Sequence, residues 1–215
     1  VGSYGIAMLI PLGKLILSVA GATALFICVV ALIASLFTGI NFFHVIRALK
    51  DILFLAFSTA SSEAALPGAM KRLEELGVPK TIVTFVMPTG YSFNLDGSTL
   101  YSSAGILFIA QLYGIQMPIE QQLLVMVTLM LSTKGIAGVP GAGIIVVAAT
   151  AAAFNLPTEG VAILLGIDRL LDMIRTICNV CGNCMATVVV ACWEKELNKA
   201  TFNEKYRAFL GGKNG

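Results

Sequence analysis

Six polar residues toward the end of the chain carry its densest chemistry: Asp168, Asp172, Arg175, Thr176, Asn179 and Asn183, spaced by four, three, one, three and four. At 3.6 residues per helical turn they share one face. Their neighbours are apolar, and ionisable groups in such surroundings are expensive and line solute or ion paths. Arg175 presents a planar fork of donors, which matches a carboxylate better than a point charge does. Asp172, one turn earlier, suits an ammonium. The bland alternative is an Asp172–Arg175 ion pair that only neutralises itself.

A second polar stretch, residues 88–97, holds Asn94 and Asp96 between Pro88 and Gly97. Carbonyls freed near Gly90 and Asn94, together with Asp96, are oxygen ligands of the kind a hard cation such as sodium takes. Asp96 closing an Asx-turn on loop amides is the competing reading. Two further stretches look like binding tips. Gly135, Gly138, Gly141 and Gly143 let backbone N–H groups approach an anion, and a half-helix starting near Pro140 points its positive end at it. Ser61 and Ser62 do the same from the other tip, although membrane helices also use small residues simply to pack.

The elements that hold these groups are membrane elements. Of 215 residues 57% are apolar and only 12% charged, with a mean hydropathy of +0.88, whereas soluble domains are about a quarter charged. A dispersed net charge of +2 offers no nucleic-acid surface, so nucleic acid is not an expected partner. The start of the chain lacks a basic n-region and a cleavage site, so no signal peptide is read there. With no initiator Met, the chain reads as part of something longer. Cys178, Cys181 and Cys184 form a C-x-x-C-x-x-C run, but the next cysteine, Cys192, does not complete an iron–sulfur signature. They are read as small packing residues, and His44 is given no role.

Residues 15–43 contain no acidic or basic side chain, which is more than the roughly 20 apolar residues a spanning helix needs. An amphipathic stretch, a short apolar run over 52–57, a polar tip over 58–67 and a charged helix ending near Leu76 then predict a re-entrant helical hairpin. Residues 81–114 form a membrane segment interrupted over 88–97, and backbone irregularity at that depth must line protein or a polar cavity. Apolar pieces over 120–131 and 144–154, with a glycine-rich tip between them, predict a second re-entrant hairpin. One last helix is expected over 160–193, leaving the interface at Trp193, with a polar, loose tail after Asn198. Arg47, Lys50, Lys71, Arg72, Lys80, Lys195, Lys199, Lys205 and Arg207 fall on one side in this layout, which makes that side cytoplasmic. Two hairpins, each paired with a helix, hint at a structural repeat. The fold class is therefore all-α integral membrane, multi-pass in the cell (cytoplasmic or inner) membrane, with a cytoplasmic C-terminus.

The tip at residues 61–67, the stretch 88–98, the glycine-rich run 135–143 and the pattern Asp168-x-x-x-Asp172-x-x-Arg175-Thr176-x-x-Asn179 together resemble the dicarboxylate/amino acid:cation symporter family. Within it, the likeness is to bacterial glutamate/aspartate transporters. The resemblance implies an elevator-type transport domain over 1–198, with a spanning helix, first hairpin, broken helix, second hairpin and final helix. It implies a cytoplasmic tail over 199–215 and N-terminal scaffold helices, outside this chain, that build a homotrimer. By position, Asp172 would hold a substrate amino group and Arg175 its side-chain carboxylate. Ser61, Ser62, Ser98, Val139, Gly143, Thr176 and Asn179 would complete the cradle. The implied cation ligands are Gly90, Ser92, Asn94, Leu95, Asp96, Thr133, Lys134, Ile136, Asn179 and Asn183, several through backbone carbonyls. Asn183 stands where strongly sodium-dependent relatives have Asp and some proton-coupled bacterial members have Asn. A neutral amide balances a cation less than a carboxylate does. Ala60 replaces an Arg found in some archaeal relatives.

The expected function is symport of glutamate or aspartate with sodium and/or protons. No other cofactor is expected. A C4-dicarboxylate carrier is the alternative, but a dicarboxylate gains nothing from Asp172. An anion channel is the reading from a different class, and gated hairpins fit alternating access better. An enzyme is not expected, for want of a nucleophile–base pair or a nucleotide loop.

Overall fold

The computed structural model describes residues 8–134 and 141–211, and among these every element is a helix. Helix α1 (Leu9–Thr38) has 30 residues, and at about 1.5 Å each it extends roughly 45 Å, more than the roughly 30 Å hydrocarbon core of a bilayer. Its outer face is bare hydrocarbon: Leu36 is 76% exposed and Phe37 86%. Apolar surface on that scale belongs against lipid or protein rather than water. Among the described residues, the other helix long and apolar enough to cross a membrane is α10 (Asp168–Trp193).

Between these two long helices the chain makes two helix pairs. After α2 (Phe42–Ala48), α3 (Lys50–Thr59) and α4 (Ser62–Glu75) form the first. The turn is short. Ala60 adopts a left-handed conformation at φ 51°, and the Ser61 hydroxyl accepts the Ala64 N–H at 3.3 Å to cap α4. The polar tip expected over 58–67 is thus two residues wide, because a capped helix resumes at Ser62. Helices α7 (Ile119–Ser132) and α8 (Ala142–Ala153) form the second pair. The residues at its tip, 135–140, lie outside the described part of the chain, and with them the predicted roles of Gly135, Ile136, Gly138, Val139 and Pro140.

The interruption in the middle segment is narrower than residues 88–97. Helix α5 (Lys80–Phe93) runs through Pro88, α6 (Asp96–Leu112) follows, and only Asn94 and Leu95 leave the helical region. Pro88 is exposed, so the carbonyl its ring leaves without a donor is not sealed in the core. Asn94 N–H still closes onto the Gly90 carbonyl at 2.7 Å, which holds α5 together to its end.

Two expectations are corrected at the C-terminal end. The single helix over 160–193 is two, α9 (Glu159–Leu165) and α10, separated by Gly166 and Ile167, whose N–H groups bond three residues back to Ile163 and Leu164. Such i→i+3 bonds tighten the chain and stop the α-helix. The tail is not loose either. Helix α11 (Lys199–Gly211) buries Phe202 and Tyr206, Tyr206 stacks on His44 with ring centroids 4.3 Å apart, and the Arg72 guanidinium lies 4.4 Å over the Phe209 ring. An apolar stripe at spacings of three and four anchors it, and His44 gains a packing role.

Two apolar cores result. One gathers the end of α1, helices α2 to α5, the later part of α10 and α11. The other gathers the start of α1, helices α6 to α9 and the start of α10. Cys181 and Cys184 are buried in the first and Cys178 is fully buried beside the break, as packing residues. Helices α1 and α10 thread both cores, and the polar residues of α10 lie where one gives way to the other.

A polar layer between two cores

Asp172, Arg175, Thr176, Asn179 and Asn183 are all buried, between 2% and 7% exposed, on the inner face of α10. The sequence places them there because their spacing keeps one azimuth while the intervening residues are apolar. Arg175 donates from Nε to Asp172 Oδ1, and from Nη1 to the Ser98 hydroxyl at 3.1 Å. Asp172 Oδ2 accepts the backbone N–H of Gly141 at 2.8 Å. The charged pair on α10 is therefore closed on itself and tied to both neighbouring elements, α6 and the start of α8. Desolvating two charges costs several kcal/mol each, and the pairing plus the added hydrogen bonds offset that cost. The Thr176 hydroxyl turns back to the Asp172 carbonyl at 2.7 Å.

The break delivers the start of α6 to the same layer. Asn179 Oδ1 accepts the N–H groups of Gly97 at 2.9 Å and Ser98 at 3.4 Å, while its Nδ2 donates to the Ser98 hydroxyl at 3.1 Å. One amide from α10 thus caps another helix, satisfying donors that its own first turn leaves unpaired. A Cβ at Gly97 would lie 2.3 Å from the Arg175 carbonyl oxygen, so only glycine lets α6 sit this close to α10.

On the other side of the break, Asn183 Nδ2 donates to the Met87 carbonyl at 2.8 Å. Its Oδ1 is buried and has no hydrogen-bond partner among the described residues. That oxygen faces Gly90, while Asp96 Oδ2 and Asn94 Nδ2 approach Gly182, 3.3 and 3.4 Å from where its Cβ would be. A cavity of about 10 Å³, the scale of a single water, is lined by Ser62, Met87, Tyr91, Asn94, Asn179 and Asn183 among others. Gly90, Asn94, Asp96, Asn179 and Asn183 are therefore brought together around α10.

The remaining predicted residues divide. Ser62 is buried and lines that cavity, whereas Ser61 serves as the cap of α4. Gly143 is buried, with Arg175 Nη1 3.2 Å and the Tyr101 ring 2.9 Å from a Cβ built there. Leu95 is buried at the break and Ser92 is half-buried in the last turn of α5. Thr133 and Lys134 follow α7. The buried Thr133 hydroxyl lies 3.1 Å from that of Thr99, and Lys134 Nζ donates to the Phe93 carbonyl at 2.6 Å.

Three participants escape a reading of the sequence. Tyr101 donates to Asp168 Oδ1 at 2.6 Å, fixing the first carboxylate of the α10 series. Arg169 Nη2 donates to the Thr59 carbonyl at 3.1 Å, at the turn of the first helix pair. Thr99 meets Thr133. Ser98 and Tyr101 stand three residues apart, a signal that both share the inner face of α6. For Arg169 and Thr59, 110 residues apart, no local signal exists.

Long apolar helices enclosing a layer of paired charges and amides are features of a membrane-embedded protein. The sequence profile of the sodium:dicarboxylate symporter family matches residues 1–193, and the chain belongs to that family. It is therefore a component of a cell membrane. It is 52% identical over 200 residues to a proton/sodium-glutamate symport protein of Geobacillus stearothermophilus, covering 93% of this chain and 47% of the relative. Against a proton/glutamate-aspartate symporter of Escherichia coli (strain K12) it is 47% identical over 211 residues, covering 98% and 48%. A C4-dicarboxylate transport protein of Burkholderia pseudomallei (strain 668) is 43% identical over 213 residues, covering 99% and 49%. The chain spans about half the length of these curated relatives.

Proposed function

We propose that the protein to which this chain belongs carries glutamate or aspartate across the cytoplasmic membrane together with protons, sodium or both. The observation that carries this reading is the buried Asp172–Arg175 pair, held to Ser98 and to Gly141 at the meeting of two cores. An acidic amino acid has one ammonium and two carboxylates. Its ammonium replaces Arg175 as the partner of Asp172, and its side-chain carboxylate takes the guanidinium fork in return. Exchanging one internal pair for two substrate pairs leaves one substrate carboxylate over, and a cation taken up with the substrate balances that charge. Ser98, Gly143, Thr176 and Asn179 border that pair, Ser62 lines the neighbouring cavity, and Ser61 and Val139 are assigned to the cradle as well.

The cation ligands form two groups. Gly90, Asn94, Asp96, Asn179 and Asn183 surround the inner cavity, where the unpartnered Asn183 Oδ1 offers an acceptor. Ser92, Leu95, Thr133 and Lys134 belong to the outer side of the break, and Ile136 is assigned with them. The two helix pairs act as re-entrant hairpins of an elevator-type transport domain over 1–198, gating either side of the layer. Scaffold helices in the other half of the full-length protein assemble it as a trimer, and the basic ends of α2 to α5 and α11 face the cytoplasm. Similarity to a C4-dicarboxylate transport protein supports a second substrate class, but Asp172 has no ammonium to meet there.

Uptake of labelled aspartate by the full-length parent in proteoliposomes, driven separately by a sodium or a proton gradient, tests the reading. Arg175→Ala is expected to abolish acidic substrate uptake, at least 100-fold, since about 3–5 kcal/mol attends an unpaired buried charge. Unchanged uptake by that variant would refute the assignment of Arg175. Uptake of succinate in preference to aspartate would replace the amino acid reading with the dicarboxylate one.

A further inference from the structure

Two helices end at one place on the outer side of the break. Helix α5 stops at Phe93 and α7 stops at Ser132. Lys134, two residues past α7, lays its ammonium on the Phe93 carbonyl at 2.6 Å. The Thr99 hydroxyl donates to the Leu95 carbonyl at 3.3 Å, which leaves Thr133 to donate to Thr99 across 3.1 Å. Of the carbonyls flanking Asn94, that of Phe93 is thus engaged from the end of α7 and that of Leu95 by Thr99 of α6, whose hydroxyl Thr133 meets.

A helix C-terminus carries about half a negative charge, and its last carbonyls lack intrahelical donors. Here two such ends converge, and Asp96 opens α6 just beyond them. Positive charge gains more at this point than a single helix end provides. Lys134 is exposed among the described residues, and its ammonium rests on backbone carbonyl oxygen. That is the ligand type a sodium ion takes at a broken helix. An ammonium and a sodium ion carry the same charge and accept the same oxygens, but the ammonium is covalently part of the tip.

We propose that Lys134 is a built-in cation: its ammonium occupies the carbonyl group at the outer side of the break in place of a sodium ion. The full-length protein then takes up one fewer sodium ion with each substrate than it would with a neutral residue at position 134. This rests on the reading of the chain as part of a cation-coupled symporter and leaves the inner group around Asn183 for an external cation.

The sodium dependence of aspartate affinity, measured by calorimetry on the purified full-length parent with choline as balancing ion, counts the sodium ions bound with substrate. In Lys134→Met the slope of log Kd against log sodium concentration becomes steeper by about one, whereas Lys134→Arg keeps the parent's slope. Equal slopes in the parent and in Lys134→Met overturn the proposal. Because the substitution also removes a helix cap, melting without substrate supplies a second readout. Sodium, and not choline, must raise the Tm of Lys134→Met by more than it raises that of the parent. If this variant stays unfolded at every sodium concentration, sodium does not substitute for the ammonium and the proposal fails. If neither protein binds aspartate, the symport reading fails, and the melting comparison still decides the role of Lys134.

Discussion

The amide oxygen of Asn183 lies 1.8 Å from the point a Cβ on Gly90 would occupy. Glycine at position 90 is what allows the Asn183 amide to enter the groove between α5 and α10 and reach the Met87 carbonyl. Gly90→Ala is therefore expected to expel the amide and cost about 1–3 kcal/mol, from the lost hydrogen bond and local overpacking. The cost should shrink when Asn183→Ala is already present. A double-mutant cycle on thermal stability in detergent checks this, with additivity as the contrary outcome.

Asn183→Asp places a carboxylate where Nδ2 now donates to a carbonyl. An ionised carboxylate only accepts, so Asp and the Met87 carbonyl repel each other until a cation enters between them. The variant should melt lower than the parent without sodium, and sodium should raise its Tm more steeply. A sodium titration of both proteins by thermal shift reads the difference, and identical titrations would make position 183 a spectator.

Asn179 is the cap of α6 as well as a member of the polar layer. Asn179→Ala strands the N–H groups of Gly97 and Ser98 in a buried setting, at about 1–3 kcal/mol for each group left unpaired. Hydrogen exchange at Gly97 to Thr99 is expected to accelerate, and faster exchange confined to this turn separates cap loss from general destabilisation.

Tyr101→Phe removes the donor to Asp168 while keeping the ring against Gly143. A hydrogen bond to a charged group contributes about 1.5–3 kcal/mol, and loss on that scale is expected in a melting experiment. Asp168→Asn retains an acceptor for the same hydroxyl and should lose less.

Phe202→Ala tests the docking of α11. Phe202 is fully buried against the first core, and truncating a buried phenylalanine costs about 3–5 kcal/mol. Limited proteolysis after Trp193 should become rapid in the variant and remain slow in the parent. Equal cleavage rates would return the tail to the loose state its composition predicts.

Local composition and period determined a good deal of this protein. The apolar run of α1, the shared face of Asp172, Arg175, Thr176, Asn179 and Asn183, the presence of a break near Asn94 and the two pairs of short helices all follow from periodicities of a few residues and from punctuation by Gly, Pro and Ser. Contacts across the chain do not leave such traces, and tertiary structure decided those. Pro88 stays helical because its ring faces outward, so the break contracts to Asn94 and Leu95. A polar tail becomes a docked helix because Phe202 and Tyr206 find a groove made by elements far away in sequence. Whether Asp172 and Arg175 face each other or a neighbour was open from spacing alone, since residues three apart on a helix reach both. The fold closes the pair and, through a two-residue break, brings Ser98 onto Arg175 and Asn179, because burial requires charges and freed amide groups to find partners.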